Sequence, residues 1–234
     1  MWIIKFLTSS IGRKLLMSLT GLFLILFLTV HLIGNLQLLW NDGGEAFNSY
    51  AYIMTHNPLI KLISYGNYFF ILLHAFVGII LYFQNKSAKG SKYAVSTNEN
   101  AKWASKNMAL LGTLILAFIF LHMGDFWFRM KMEQNWNPEG DWLAMYDSTT
   151  LGHPVVNLYE RVSYSFSQLW IVITYLIGLL VLAFHLNHGF ASAFQTLGIN
   201  HKKYTPLIEG LGKAYSILIP LGFAIIPIVH YLFK

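Results

Sequence analysis

Four histidines set the chemical question posed by this chain. His31, His74, His122 and His185 each lie inside a separate run of apolar residues long enough to cross a bilayer. An imidazole in hydrocarbon is costly and normally faces a bundle interior or a water-filled cavity. Taken singly, each could serve as an interhelical hydrogen-bonding group. Four on four separate segments make two pairs, and two paired imidazoles are what a six-coordinate haem iron asks of a protein. The sequence has no cysteine, which excludes disulfides, thiolate-held iron–sulfur clusters and covalent haem attachment through a C-x-x-C-H motif. A redox cofactor on this chain is therefore non-covalent and ligated by nitrogen or oxygen.

The elements that must position these side chains follow from composition. Of the 234 residues 56% are hydrophobic and 11% charged, with a mean hydropathy of +0.51, against about 25% charged in a soluble domain. An all-α membrane protein is expected, a single domain over 1–234. Five spans are predicted, at about 15–40, 59–83, 108–128, 162–189 and 213–233, each reaching the ~20 residues that cross a ~30 Å hydrocarbon core. Met1–Leu7 is too short for a cleaved signal, so the first span is expected to direct insertion itself. Polar connections separate the spans, the turn residues Asn41-Asp42-Gly43-Gly44 ending the first. The long loop 129–160, with Trp136, Trp142, Tyr146 and Tyr159, suits an interfacial cap.

Charge orients the chain. With the N-terminus inside, 11 of the 16 Lys and Arg residues fall on inside segments, and eight of the 10 acids fall outside. The positive-inside rule therefore predicts a cytoplasmic N-terminus and an outside C-terminus. The net charge of +6 then belongs to a cytoplasmic face that meets anionic lipid or a docked soluble subunit, and no nucleic acid is expected.

Alternating helix direction gives each histidine a height. His31 and His122 come late on rising helices, toward the outer face, and His74 and His185 come late on descending ones, toward the inner face. The expected pairs are His31 with His122 and His74 with His185. At 1.5 Å per residue this sets two irons roughly 10–20 Å apart along the membrane normal. The first four helices would form the haem-binding bundle.

Glycine spacing favours a flat ligand. His74 and Gly78, like His185 and Gly189, follow H-x-x-x-G, and an i,i+4 glycine on the ligand's own face lets a porphyrin edge approach the backbone. Gly178 lies seven residues before His185 on the same face and is expected to make room at the outer level. Gly21 and Gly112 each precede an outer-level histidine by ten residues, off the ligand face, and give weaker support. Such glycines also serve helix packing. His188, one turn from His185, is its rival as ligand. His230 is expected near the outer boundary, outside the ligand bundle, and His56, His153 and His201 fall in loops.

These features resemble a known family. Ser9-Ser10-Ile11-Gly12-Arg13-Lys14, Met17-Ser18-Leu19-Thr20-Gly21, His31-Leu-Ile-Gly-Asn35, His74-x-x-x-Gly78, Leu121-His122 and Phe184-His185-Leu-x-x-Gly189 are similar to the five-helix, single-subunit, di-haem cytochrome b anchor of succinate:quinone oxidoreductases and quinol:fumarate reductases. The resemblance spans nearly the whole chain. It implies two b haems held by His31/His122 and His74/His185. It implies an iron–sulfur subunit and a flavoprotein subunit on the cytoplasmic side, exchange with membrane quinone (menaquinone in most two-haem members), and a place in the bacterial cytoplasmic membrane within respiratory complex II. Succinate dehydrogenase or fumarate reductase chemistry would reside on the partner subunits.

The same resemblance suggests Glu45 as a quinone-site acid, since quinol oxidation needs a proton acceptor. Arg13, Lys14, Ser18 and Lys102 are candidates to meet the inner haem's propionates. The chain departs from some fumarate reductases of this type, which place a Glu two residues before the fourth ligand. Ala183 stands there, so that proton pathway is not carried over. The alternative is a di-haem cytochrome b serving a hydrogenase or formate dehydrogenase. A transporter is disfavoured, because only the fifth span is interrupted by proline (Pro220, Pro227) and it has no matching counterpart.

Overall fold

A computed structural model of the chain describes residues 2–88, 103–136 and 145–234. The elements in order are α1 (Trp2–Thr8), α2 (Ser10–Asn35), α3 (Glu45–His56), α4 (Pro58–Ala88), α5 (Trp103–Lys106), α6 (Met108–His122), α7 (Arg129–Trp136), β1 (Met145–Ser148), β2 (His153–Val156), α8 (Leu158–Phe166), α9 (Leu169–Thr196) and α10 (Thr205–Phe233). A 3₁₀ turn, Leu36–Leu39, extends α2, and a π-helical turn, Met123–Phe128, joins α6 to α7.

Five helices are long and apolar enough to cross a membrane: Ser10–Leu39, Pro58–Ser87, Met108–Met132, Leu169–Thr196 and Thr205–Phe233. Their outward residues are apolar, as Leu62, Phe69, Leu72 and Phe76 on α4 illustrate. In hydrocarbon such side chains need no cover, and only the backbone must satisfy itself internally, which a helix does.

Several helix ends differ from the sequence reading, the first helix starting at Ser10 rather than 15 and the fourth ending at Thr196 rather than 189; three further differences have a local reason. The fourth span begins at Leu169 rather than near 162. Serines at 163, 165 and 167 alternate with apolar residues through α8, and Ser167 turns its hydroxyl back onto the Tyr164 carbonyl at 2.8 Å where α8 ends. The fifth helix begins at Thr205 rather than 213, with Pro206 in its first turn, where a missing N–H costs nothing. The connection after the first span contains the twelve-residue helix α3. Gly43 and Gly44 adopt positive φ of 68° and 91° ahead of it. A Cβ on Gly44 would also stand 2.5 Å from the Tyr159 ring, so glycine is required twice over. Asp42 caps α3 through the backbone N–H groups of Gly44 and Ala46, at 3.0 and 2.9 Å.

The segment expected as an interfacial cap is partly regular. β1 and β2 form an antiparallel hairpin with Met145 opposite Val156 and Ser148 opposite His153. Trp142 lies outside the described residues, as do Lys89, Lys92 and Glu99, which entered the orientation argument.

The chain divides into two compact units. The first comprises Met1–Phe27, Asn67–Leu116 and Val181–Leu218, and the second Leu28–Gly66, Ala117–Leu180 and Ile219–Lys234. In the first, Ser18 donates to the Ala193 carbonyl at 2.7 Å, tying α2 to α9, and Tyr215 donates to the Ile25 carbonyl at 2.6 Å, tying α10 to α2. In the second, Leu38, Phe47, Val162, Phe166, Ile171, Val172, Tyr175 and Ile226 form a buried apolar cluster. The Lys234 ammonium closes it by donating to the carbonyls of Leu38 and Trp40 and to the Tyr159 hydroxyl, at 2.8, 3.1 and 2.9 Å.

Candidate functional site

The four membrane histidines meet two by two. His74 on α4 and His185 on α9 lie in the first unit with ring centres 6.2 Å apart and planes at 67°. His31 on α2 and His122, the last residue of α6, lie in the second unit with ring centres 5.8 Å apart and planes at 85°. The partners are those the sequence assigned by depth. An imidazole nitrogen ligates a metal at about 2 Å, so two trans imidazoles on one iron hold their ring centres roughly 6 Å apart. Both separations have that size.

What surrounds each ring differs. The His74 Nδ1 lies 2.9 Å from the Thr20 hydroxyl. The His122 Nδ1 lies 3.3 Å from the Tyr175 hydroxyl, and rings of Phe118 and Phe126 pack around the pair. The Asn35 amide nitrogen donates to the His31 carbonyl at 2.8 Å and stands 3.3 Å from its Nδ1. Phe223 of α10 places its ring 5.6 Å from His31, so the fifth helix lines this pair. The buried His185 Nδ1 has no hydrogen-bond partner among the described residues.

Glycines border one pair directly. A Cβ on Gly21 would stand 3.4 Å from the His74 Cε1, and a Cβ on Gly112 would stand 3.9 Å from the His185 Cε1. The two glycines weakest by spacing are thus the ones next to imidazoles, each facing a histidine on another helix. Gly78 faces the end of Met17, with 3.3 Å available, and Gly189 opens onto empty space. Gly178 carries the Phe118 ring, which a Cβ would approach to 2.5 Å.

The chain matches no family model, no curated protein and no solved structure.

The residues fit a bis-histidine haem on two observations. The paired ring centres stand 5.8 and 6.2 Å apart, the size that two imidazoles on one iron would have. Glycine leaves the edge of each imidazole of the His74/His185 pair uncrowded. Among the described residues no group of three or more His, Cys, Asp or Glu could hold a metal ion. A pair is too few for a bare ion, and it is what a porphyrin leaves for the protein to supply.

The remaining candidates fall in varied settings. Arg13 is half-buried and Lys14 exposed near the start of α2. Ser18 is buried and spends its hydroxyl hydrogen on Ala193, so toward an anion it has no hydrogen left to donate. Lys102 lies outside the described residues. His230, at 2% exposure, bonds Ser163 through Nδ1 at 3.1 Å and packs against Tyr159 and Phe166.

Glu45 is committed elsewhere. Its carboxylate accepts from the N–H groups of Thr150 and Thr149 and from the hydroxyls of Ser148 and Ser49, at 2.8 to 3.1 Å. Bonds from Thr150 first, then Ser148 and Thr149, hold its pKa well below the ordinary 4.5. A carboxylate kept ionised is a poor proton acceptor. Its role is to clasp the β-hairpin turn onto the first turn of α3. Because the folded pKa is depressed, the stabilisation is complete above pH 4.5 and fades as the pH falls below it. Glu45→Gln is expected to loosen the hairpin at neutral pH and to abolish that acid sensitivity. Proteolysis between Met145 and Val156, followed from pH 7 to 3, reads both effects.

Residues not singled out in the sequence complete the second unit. Arg161 of α8 pairs with Asp125 in the π-helical turn and donates from Nε to the Asp125 carbonyl at 3.2 Å. Asn48, at 1% exposure, accepts from the Tyr159 N–H at 2.9 Å and donates to Asn157 at 3.0 Å. Asn157 itself caps α8 at the Glu160 N–H. The Asn157-x-x-Glu160 spacing was the available signal for that cap. No local pattern reveals the Asp125–Arg161 pair, whose members are 36 residues apart.

Proposed function

We propose that this chain is the membrane anchor of a succinate:quinone oxidoreductase or quinol:fumarate reductase, holding two b haems between an iron–sulfur subunit and membrane quinone. The observation that carries the reading is the meeting of four histidines of apolar helices as two couples with ring centres 5.8 and 6.2 Å apart. The five apolar helices, the absence of cysteine and the motifs from Ser9 to Gly189 support it further.

When bound, each haem would supply a one-electron iron couple, whose potential the histidines holding it and their buried surroundings would tune. His31 with His122, and His74 with His185, present the imidazoles. Gly21 and Gly112 keep the backbone clear beside the second couple. The aromatic rings of Phe118, Phe126 and Tyr175 around His122, and of Phe223 beside His31, exclude water from the first couple. Arg13, half-buried near the start of α2, would meet a propionate near the cytoplasmic boundary. Menaquinone is the exchangeable substrate, and the flavoprotein partner carries the dicarboxylate chemistry. The chain resides in the bacterial cytoplasmic membrane with its N-terminus inside.

The complex purified through this chain tests the reading. Pyridine haemochrome analysis is expected to count two b haems per copy, with flavin and iron–sulfur subunits copurifying and succinate-dependent haem reduction. Copurified nickel or molybdenum would transfer the chain to a hydrogenase or formate dehydrogenase, and absence of b-type absorption would overturn the reading.

A further inference from the structure

We propose that Thr20 is a positioning residue that sets the tautomer of His74 and so presents its Nε2 lone pair to iron; the inference rests on the haem reading above. Thr20 is 3% exposed, so water does not compete for its bonds. A threonine hydroxyl has one hydrogen and two lone pairs. The Thr20 hydrogen is directed to the Leu16 carbonyl at 2.7 Å, one helical turn back, with the Met17 carbonyl sharing it at 3.2 Å.

The oxygen of the same hydroxyl lies 2.9 Å from the His74 Nδ1. With its hydrogen already placed, that oxygen can only accept. Nδ1 must therefore carry the proton, which leaves Nε2 unprotonated with its lone pair free. In a neutral imidazole the bond made by one nitrogen determines what the other can do, and only an unprotonated nitrogen ligates a metal. The bond also restrains the ring against rotation.

The adjacent residue serves the same ring from another side. Gly21 leaves 3.4 Å beside the His74 Cε1, so Thr20-Gly21 orients the imidazole and clears its edge. His185 has no such anchor, since its Nδ1 finds no partner among the described residues. The couple is thus asymmetric: the His74 imidazole meets the Thr20 hydroxyl and the Met17 carbonyl, while the His185 Nδ1 meets no partner among the described residues.

A hydroxyl acceptor on Nδ1–H makes the imidazole a stronger donor to ferric iron, and losing such a contact typically weakens metal binding 10–100-fold. Thr20→Val removes the acceptor at nearly constant volume, and Thr20→Ser keeps it. Both are examined in the full complex by haem count, redox titration and low-temperature electron paramagnetic resonance.

Thr20→Val is expected to raise the midpoint of one haem by about 59 mV, the one-electron equivalent of a tenfold weaker hold on the ferric form, or to lose that haem alone. The second haem keeps its potential and g values, and Thr20→Ser matches the parent. Unchanged potentials and g values in Thr20→Val overturn the assignment while leaving the haem reading intact. A Thr20→Ser protein as impaired as Thr20→Val also overturns it, by pointing to methyl packing. A parent complex without haem overturns both.

Discussion

His74→Ala is expected to retain one haem per chain, and His185→Ala to lose the same haem. Their rings stand 6.2 Å apart in one compact unit, so on the proposed haem reading either substitution would remove one of the two histidines that hold a single iron. Even contacts behind a ligand are worth 10–100-fold in metal affinity, and removal of a ligand costs more. His122→Ala and His31→Ala should in turn both remove the other haem, because their rings stand 5.8 Å apart. The pairing makes a sharper prediction than the count. The double variant His74→Ala/His185→Ala should be no poorer in haem than either single variant, while His74→Ala/His122→Ala should hold none. Residues that act as a unit are non-additive in this way, and independent ones are additive. Haemochrome quantification with redox titration identifies which species is left. Single variants of one couple that remove different haems would refute the pairing.

The second large effect concerns stability. Arg161→Ala is expected to destabilise the second unit by about 3–5 kcal/mol, because it strands a largely buried carboxylate. The Arg161 and Asp125 side chains are only 11% and 19% exposed. The guanidinium makes two contacts with the same residue, to its carboxylate and its backbone carbonyl, and packs over the Tyr164 ring at 5.5 Å. Asp125 sits in the π-helical turn that directly follows His122, and such turns leave backbone groups less regularly paired than an α-helix does. Arg161→Lys keeps the charge but loses the planar fork, and should recover only part of the loss. Asp125→Asn/Arg161→Met removes both charges, and should recover most of it, since the strongly destabilising element is the unpaired partner. Thermal unfolding of the complex in detergent, followed by circular dichroism, ranks the four proteins. A double variant as unstable as Arg161→Ala would show that the charges are not what matters.

Thr20 and Gly21 mark how far local pattern reaches. By spacing alone, Gly21 lies off the face of His31 on its own helix, as Gly112 does for His122. Each instead borders the imidazole of another helix. Periodicity relates residues along one helix, and it contains no information about which residue of a neighbour comes opposite. Thr20 was part of a motif without a role for the same reason, since its partner His74 is 54 residues away. Gly178 shows the converse. Its position on the face of His185 suggested space for a porphyrin, and the Phe118 ring fills that space. Glu45 looked like a loop acid near a quinone, yet four donors, three of them from a turn about a hundred residues on, hold its carboxylate.

The amino-acid sequence by itself determined the number of spanning helices, because hydrocarbon admits only long apolar segments with satisfied backbones. It also led to the histidine couples whose rings meet, from alternating chain direction and a constant rise per residue. Tertiary structure alone decided what stands beside these imidazoles: a hydroxyl at His74, a phenol at His122, and no hydrogen-bond partner among the described residues at the His185 Nδ1. It decided equally which loop charges are spent on structure. The physical reason is range. Hydrophobic length and helical rise are additive along the chain, whereas a hydrogen bond of 3 Å depends on the meeting of two helices that no single stretch of sequence contains.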